Sequence, residues 1–197
     1  MGNWGGSVLG ICLGLGMASP VWAEPIAPGR AVTPSVAQLF IEVPPTQPLR
    51  LGESEIRELL QQMQRDTERK DAAALVRPLA RFVYSEDESR FLADNETVRV
   101  RLFGQVAHEQ ELRQNLEAVA QASFLSYQID EVLVSPDGQY AIARDRALLD
   151  VTLVDGSRVL VASGAVSRWA MVGDRPQMVS SQTHNEVLPV STLPPQP

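Results

Sequence analysis

Four stretches of strand-forming sequence, separated by short turns, decide the fold of the second half of the chain. They are FLSYQIDEVLV (124–134), YAIARDRALLDVTL (140–153), SRVLVASGAVSRWAM (157–171) and PQMVSSQTHNEV (176–187). Asp-Gly or Gly-Asp pairs lie between them at 137–138, 155–156 and 173–174, and such pairs are typical of hairpin turns. The order predicts four antiparallel strands. Their lengths of about 11 to 15 residues exceed the usual strand and predict a strongly curved sheet.

One of these strands also carries the pattern of a bulge. In the stretch 124–134, Ile129 has odd parity, whereas Val132 and Val134 have even parity. An extra residue in one strand shifts the side chains that follow it to the opposite face. We therefore predict a β-bulge near Asp130.

Three helices are predicted before these strands. The first carries four apolar residues at the spacing of one helix face: Ile56, Leu59, Leu60 and Met63. Asp71 is a suitable N-cap for a short second helix at 72–79, which Pro78 limits. A third helix is expected from about residue 109 to 121. Together with the strands, this order predicts an α+β fold.

Between the second and third helices, residues 97–102 (TVRVRL) alternate between polar and apolar, as a short strand with one wet face does. Arg99 and Arg101 are then either an anion site or an ordinary solvated strand face. We expect the solvated face, because such alternation is usual in antiparallel sheets.

Composition limits the classes of function. The 197 residues are 44% hydrophobic, enough for one core, and the net charge is −7. A nonspecific nucleic-acid binder needs a cationic surface to neutralise phosphates, so this charge argues against that class. The sequence also contains no nucleophile elbow, phosphate-binding glycine loop or zinc-ligand motif. We therefore expect no cofactor and no metal.

The N-terminal 23 residues have the features of a signal peptide. They contain no charged side chain, have an apolar stretch at 8–17, and end in Val21-Trp22-Ala23. We expect export to the periplasm or the extracellular space, with an uncleaved membrane anchor as the alternative. Cys12 is the only cysteine and lies in this segment, so the mature protein would have no thiol or disulfide.

The rest of the chain divides into three parts by composition. Residues 24–52 contain six prolines and predict an extended linker, although its apolar patch 36–43 has the composition to pack on the domain or on a partner. Residues 53–187 contain all the periodic segments and predict one domain. Residues 188–197 contain four prolines and no charge, which predicts a disordered tail.

The element order resembles the nuclear transport factor 2-like (SnoaL-like, cystatin-like) superfamily. The resemblance spans 53–187: a helix, a short helix opening at Lys70-Asp71, a third helix and four curved strands. Local sequence is similar in the last hairpin, at Ser167-Arg168-Trp169-Ala170 and Met178-Val179-Ser180-Ser181-Gln182-Thr183. The resemblance implies a cone with about four long strands plus a short extra one, a pocket between helices and sheet, and frequently a homodimer through the sheet. It does not imply one reaction.

Asp145 is the main candidate for chemistry. It is the only carboxylate in the alternating row Ala141, Ala143, Asp145, Ala147, Leu149, Val151 and Leu153. If that row faces the concave side, desolvation raises the pKa of Asp145 towards the range of a general acid or base. The alternative is that it pairs with an arginine such as Arg168 or lies at a wet bulge. We expect a partner, so that Asp145→Asn lowers stability.

Other candidates depend on the same unknown, namely which face of the sheet is concave. Histidine is the side-chain type best suited to titrate near neutrality, so His184 is a candidate to act with Asp145 or Tyr127. Tyr127, Tyr140 and Trp169 are either pocket walls or core residues. His108 is expected to be an exposed residue beside the third helix.

Three functions follow from these observations. The first, to which we give priority, is an exported non-catalytic module that binds a small apolar ligand or another protein. The second is a small isomerase or dehydratase that uses Asp145 with His184 or Tyr127. The third is an assembly protein that docks through the apolar patch 36–43.

Overall fold

The computed structural model describes residues 49–190, which form three helices and six strands. The predicted signal peptide, the linker up to residue 48 and the tail from residue 191 lie outside the described residues. The elements in chain order are α1 (Glu53–Glu68), α2 (Ala72–Val76), β1 (Leu79–Phe91), β2 (Glu96–Phe103), α3 (Gln105–Ala118), β3 (Val119–Val134), β4 (Tyr140–Leu153), β5 (Arg158–Val172) and β6 (Arg175–Pro189).

The first helix buries the predicted apolar face. Ile56, Leu60 and Met63 are almost fully buried, and Leu59 packs at the edge of the same core. The face points toward β3, which α1 contacts. Burial of such a stripe, more than intrinsic propensity, stabilises a helix in a protein. The helix therefore covers the sheet, as its spacing predicts.

The second helix begins at the predicted cap. The Ala74 amide donates a hydrogen bond of 2.9 Å to Asp71 Oδ1, which satisfies one of the free amides at the helix N-terminus. The helix ends at Val76, three residues before the predicted end. The chain then turns at Pro78, and Leu79 already pairs with Met178 in the sheet. Pairing with β6 has therefore replaced the last helical turn.

The third helix begins about four residues earlier than predicted. Gly104 has φ 88°, a conformation that favours glycine, and its amide donates to the Val83 carbonyl at 2.8 Å before the helix starts. This shift places His108 one turn before Leu112, on the buried helix face. The prediction of an exposed His108 is therefore wrong: it is 2% exposed.

The sheet contains six strands within residues 49–190, in the order β2-β1-β6-β5-β4-β3. The pairing of β1 with β6 is parallel and the other pairings are antiparallel. The sequence predicts four long strands and one short one, so β1, with 13 residues, is an addition. The α+β class and the curved, unclosed sheet are confirmed.

The predicted bulge is present. In the pairing of β3 with β4, Ile129 lies opposite Asp145 and Glu131 lies opposite Arg144, so Asp130 is the extra residue. Further register shifts in β3 occur between Val119 and Gln121 and between Phe124 and Ser126. Bulges bend a strand and increase its twist, which accounts for the curvature of this edge of the sheet.

The concave face of the sheet carries two apolar clusters. One contains residues of α1, α2 and α3 together with Trp169 and Met178, and the other contains Leu149, Val161 and Val187. Buried polar residues of β1 and β6 lie between them along the strands. No helix within 49–190 is long and apolar enough to cross a bilayer.

Candidate functional site

A row of four residues crosses the concave face at right angles to the strands. Asp145 of β4 pairs with Ala165 of β5, Ala165 pairs with Thr183 of β6, and Thr183 pairs with Asp87 of β1. Residues that pair in this way in neighbouring strands present their side chains to the same face. The row therefore places two carboxyl groups on the inside of the curved sheet.

A cavity of about 40 Å³ lies between α1 and this row. The lining residues are Leu60, Met63, Gln64, Thr67, Phe124, Tyr127, Asp145, Ala147, Ser163, Ala165 and Thr183. A volume of this size holds about three water molecules. Most of its wall is apolar, and Asp145 is its only carboxylate.

Asp145 has no hydrogen-bond or ion-pair partner among the described residues. Arg168, the partner considered from sequence, is exposed on the convex face and donates to Ser180 Oγ at 3.5 Å. The expectation of a partner is therefore wrong, because Arg168 has the opposite parity to the inward row. Burial raises the pKa of Asp145 to about 7, and the nearby Asp130 carboxylate adds to the rise.

Tyr127 lies in the same cavity, one strand away on β3. Its ring meets that of Phe124 edge to face, with centroids 5.7 Å apart. Burial, followed by the Asp145 carboxyl, raises the pKa of Tyr127. The phenol therefore stays protonated at neutral pH and presents a hydrogen-bond donor beside Asp145.

The other candidates from sequence do not join this pair. Tyr140 is 63% exposed at the start of β4. Trp169 is fully buried in the core and its Nε1 donates to Ser167 Oγ at 2.9 Å. His184 is exposed on the convex face, with Nδ1 3.4 Å from Glu88 Oε1. The sheet itself separates His184 from Asp145.

Asp87 is a site residue that the sequence analysis missed. It is 3% exposed, and neither of its carboxyl oxygens accepts a hydrogen bond from the described residues. Burial raises the pKa of Asp87 to about 8, and the adjacent Thr183 hydroxyl opposes that rise without forming a hydrogen bond of normal geometry. A protonated carboxyl is therefore the resting state of Asp87 at neutral pH.

Several other side-chain polar atoms are also buried and lack partners within residues 49–190. They are Ser85 Oγ, His108 Nε2, Thr183 Oγ1 and Asn185 Oδ1. We call the β1 and β6 residues Ser85, Asp87, Thr183 and Asn185 the polar band. Most buried polar side-chain atoms in proteins have a hydrogen-bond partner, so such a concentration is unusual.

The tautomer of His108 follows from its single contact. Its Nδ1 lies 2.8 Å from the Gly104 carbonyl oxygen, which only accepts, so Nδ1 donates. Burial lowers the pKa of His108, which favours the neutral ring. Nε2 is then an unprotonated acceptor, and the residue cannot supply positive charge to the concave face.

The sequence contains only a weak indication of Asp87. Its strand alternates inward Ser85, Asp87 and Ser89 with outward Glu86, Glu88 and Arg90, so both faces are polar. A period-two search for apolar residues finds nothing there. The β-forming triplet Phe82-Val83-Tyr84 and the turn residues Asp94-Asn95 are the features that mark a strand.

A cluster of three or more His, Cys, Asp or Glu side chains able to hold a metal is not found within the described part of the chain. Asp145 and Asp87 do not approach one another closely enough to share an ion. The arrangement instead offers two separate carboxyl groups, one at an apolar cavity and one in the polar band.

No protein-family model and no curated protein sequence matches this chain significantly. Solved structures do match. The hexachlorocyclohexane dehydrochlorinase LinA-type3 of Novosphingobium barchaimii LL02 has a TM-score of 0.53 at 9% identity, covering 73% of this chain and 93% of that one.

A ketosteroid isomerase-like protein of Erwinia carotovora atroseptica SCRI1043 has a TM-score of 0.52 at 15% identity, covering 67% of this chain and 94% of that one. A cystatin-like domain of unknown function from Nostoc punctiforme PCC 73102 has a TM-score of 0.50 at 13% identity, covering 67% and 75%. Because identity is this low, the likeness concerns the fold. The chain therefore has the α+β cone of the nuclear transport factor 2-like (SnoaL-like, cystatin-like) superfamily.

Proposed function

We propose that the protein is a non-catalytic binding module that takes a small, largely apolar molecule into the cavity between α1 and the concave face. The observation that carries this proposal is Asp145, a carboxyl group without a partner at an apolar wall. Burying a polar group without a hydrogen bond is costly, and a ligand that carries a carbonyl or hydroxyl group would supply that bond.

The dimensions of the cavity limit the ligand. A cavity of about 40 Å³ takes only a molecule of a few heavy atoms unless the wall moves. Met63 lines the cavity, and its unbranched side chain adapts to different shapes more readily than Leu60 does. Small ketones and alcohols have a suitable size and polarity.

The protonation of Asp145 determines how binding depends on pH. Below pH 7 the carboxyl is mainly protonated and donates to a ligand carbonyl, whereas above pH 7 it is mainly ionised and accepts only. We expect 2-butanone to bind more tightly at pH 6 than at pH 8. Asp145→Asn keeps a donor at this position and cannot ionise, so its binding should be independent of pH.

The test is a titration of 2-butanone followed by amide chemical shifts of Ala147, Ala165 and Thr183. Asp145→Ala should weaken binding by about tenfold, the value of one hydrogen bond. His184→Ala is the matched control, because His184 lies on the convex face. Shifts confined to residues outside the cavity, or equal binding by Asp145→Ala and the wild type, would contradict the proposal.

A second candidate function is supported by the neighbouring Tyr127. A carboxyl with pKa about 7 beside a protonated phenol is a suitable acid–base pair for an isomerase or dehydratase. Two of the similar structures are a dehydrochlorinase and a ketosteroid isomerase-like protein. His184 has no part in this candidate.

The same ligand separates the two functions. A catalytic carboxyl would accelerate exchange of the α-hydrogens of 2-butanone with deuterium, measured by proton NMR in D₂O. For a binding module, wild type and Asp145→Asn should give the same exchange rate. A faster rate in the wild type, removed by Asp145→Asn and reduced by Tyr127→Phe, would establish the enzyme instead.

The proposal includes export and a homodimer through the convex face. The uncharged apolar segment 1–23 supports export.

The centre of the convex face consists of small or apolar residues of β5, namely Leu160, Ala162, Gly164 and Val166. Ion pairs such as Arg101–Glu86 and Arg146–Asp130 lie on either side. Light scattering of wild type and Val166→Glu would test the dimer: the variant should be monomeric.

A further inference from the structure

The charge of the concave face indicates what kind of ligand it favours. The inward rows of β1, β6, β5 and β4 contain two carboxylic acids, Asp87 and Asp145, and no lysine or arginine. His108, the imidazole of the adjacent helix, is neutral in its buried position. An anionic ligand would be buried on this face without a compensating cation, so the face selects against anions.

The polar band adds hydrogen-bonding groups that have no partner among the described residues. Asn185 Nδ2 already donates to Ser89 Oγ at 3.0 Å, which leaves Asn185 Oδ1 as a free acceptor. Both oxygens of Asp87 are free, as is the hydroxyl of Thr183, and all three residues are at least nine-tenths buried. A group that donates several hydrogen bonds at once would satisfy these atoms together.

The strand register brings these atoms to one place. Asp87 pairs with Thr183, and Ser89, the next inward residue of β1, pairs with Asn185. Neighbouring strands are about 4.8 Å apart, so the side chains of Asp87 and Thr183 are adjacent and that of Asn185 is diagonal to Asp87. Thr183 also lines the cavity that contains Asp145.

We propose that Asp87, Thr183 and Asn185 form a subsite for a primary ammonium group, so that the ligand of the concave face is a small alkyl amine. The Asp87 carboxylate pairs with the ammonium, and Asn185 Oδ1 and Thr183 Oγ1 accept its remaining N–H bonds. The alkyl chain extends past Thr183 toward Ala165 and the apolar cavity. This inference rests on the proposed function and specifies the chemical class of the ligand.

The length of the ligand follows from the same row. Asp145 and Thr183 are two strands apart, about 10 Å between backbones, and their side chains converge on the concave side. At about 1.3 Å per bond along its axis, a four-carbon amine is about 5 Å long and covers about half of this distance. We therefore choose n-butylamine as the probe, with 1-butanol as its neutral analogue and butyrate as its anionic analogue.

The test is calorimetric titration of the purified chain at pH 7 in two buffers of different ionisation enthalpy. n-Butylamine should bind at least about tenfold more tightly than 1-butanol, because the ammonium makes charge-assisted hydrogen bonds. Butyrate should not bind. Binding of the amine should release a proton, since Asp87 is protonated at pH 7 and must ionise to pair with the ammonium. Affinity should therefore rise from pH 6 to pH 8.

Substitutions test which residues bind the ammonium group. Asp87→Asn should weaken the binding of n-butylamine at least about tenfold and abolish proton release, while leaving the affinity for 1-butanol unchanged. Thr183→Val keeps Asp87 and the shape of the cavity wall. It should weaken the binding of n-butylamine by a smaller factor than Asp87→Asn does. Asp145→Asn should leave the preference for amine over alcohol intact. Thermal unfolding shows whether each variant is folded. If Asp87→Asn does not fold, the affinity of Thr183→Val for n-butylamine tests the subsite instead.

The outcomes separate this inference from the proposed function. If 1-butanol or 2-butanone binds and the amine has no advantage, the ammonium subsite is wrong and the cavity proposal stands. If the amine preference is lost in Asp145→Asn but kept in Asp87→Asn, the ammonium lies at Asp145 and the assignment is overturned. If none of the probes binds, both proposals fail. Unchanged amine binding in both Asp87→Asn and Thr183→Val also rejects the subsite.

Discussion

Asp87 and Asp145 lie in one row of the concave face, separated by Thr183 and Ala165. Three strand spacings place their backbones about 14 Å apart, so direct repulsion between the two carboxyls is weak. Burial is the main cause of the raised pKa of each. The two groups therefore take up protons largely independently when the protein folds.

The first prediction concerns stability as a function of pH. An aspartate in the unfolded chain has a pKa near 3.8, against about 7 for Asp145 and about 8 for Asp87 in the folded protein. Between pH 5 and 7 the folded state thus binds more protons than the unfolded state, and stability falls as pH rises. Each group contributes a slope of up to about 1.4 kcal/mol per pH unit. Urea unfolding at pH 5, 6, 7 and 8.5 measures this dependence of the free energy of unfolding on pH.

This dependence is the reverse of that of paired carboxylates, whose stabilisation is lost as pH falls. The ion pairs Arg146–Asp130 and Arg158–Asp150 act in that opposite direction. They do so only at lower pH, because the arginines lower the pKa of Asp130 and Asp150. A free energy of unfolding that stayed constant or increased from pH 5 to 8.5 would show that the two buried carboxyls have ordinary pKa values.

The second prediction is the effect of Asp145→Asn on stability. With no partner to lose, the substitution should stabilise the fold, and by about 1 to 3 kcal/mol more at pH 8.5 than at pH 5, because it removes a partly buried charge. Glu131→Gln is a matched control. It removes an exposed carboxylate paired with Arg144 and should change stability by less than about 1 kcal/mol. Destabilisation by Asp145→Asn at both pH values would reveal a partner.

The third prediction concerns the residues just before α1. Leu51 is 5% exposed and belongs to the core, and its amide donates to the Gly138 carbonyl at 2.8 Å. Leu51→Ala should lower the free energy of unfolding by about 2 to 4 kcal/mol. Leu49→Ala, at a position 58% exposed, should change it by less than about 0.5 kcal/mol. Equal effects would mean that residues 49–52 do not pack on the domain.

The fourth prediction is cleavage after Ala23. The small residues Val21 and Ala23 occupy the positions that a signal peptidase recognises. Intact-mass measurement of protein recovered outside the cytoplasm should give a chain that begins at Glu24. A chain that retains Met1 and sediments with membranes would instead support the anchor.

The second half of the fold was predictable because its information is local. The observed β4, Tyr140–Leu153, has the predicted limits, and β5 and β6 differ from prediction by one or two residues at each end. Turn residues and alternation mark such hairpins within a few residues of sequence. Asp145 was found for the same reason, as a single acid in an apolar row.

The first half was less predictable because its pairings are not local. β1 has polar residues on both faces, and its partner β6 is almost a hundred residues away: Ser89 and Asn185 are 96 positions apart. The observed start of α3 differs from the predicted one because the Gly104 amide donates to the Val83 carbonyl, a contact between distant segments. Tyr140, Trp169 and His184 could be placed only when the concave face was known, since parity alone does not distinguish inside from outside.

The parallel pairing of β1 with β6 also has a consequence for the order in which the molecule forms. Every other pair of neighbouring strands is joined by a hairpin, but β1 must wait for β6, the last of the described strands. Until then its inward polar side chains face water, and β2 and β1 form only an isolated hairpin, which is at best marginally stable. Closing so long a loop slows folding. The polar band is therefore completed last, and a nascent chain that stops before residue 183 lacks half of it.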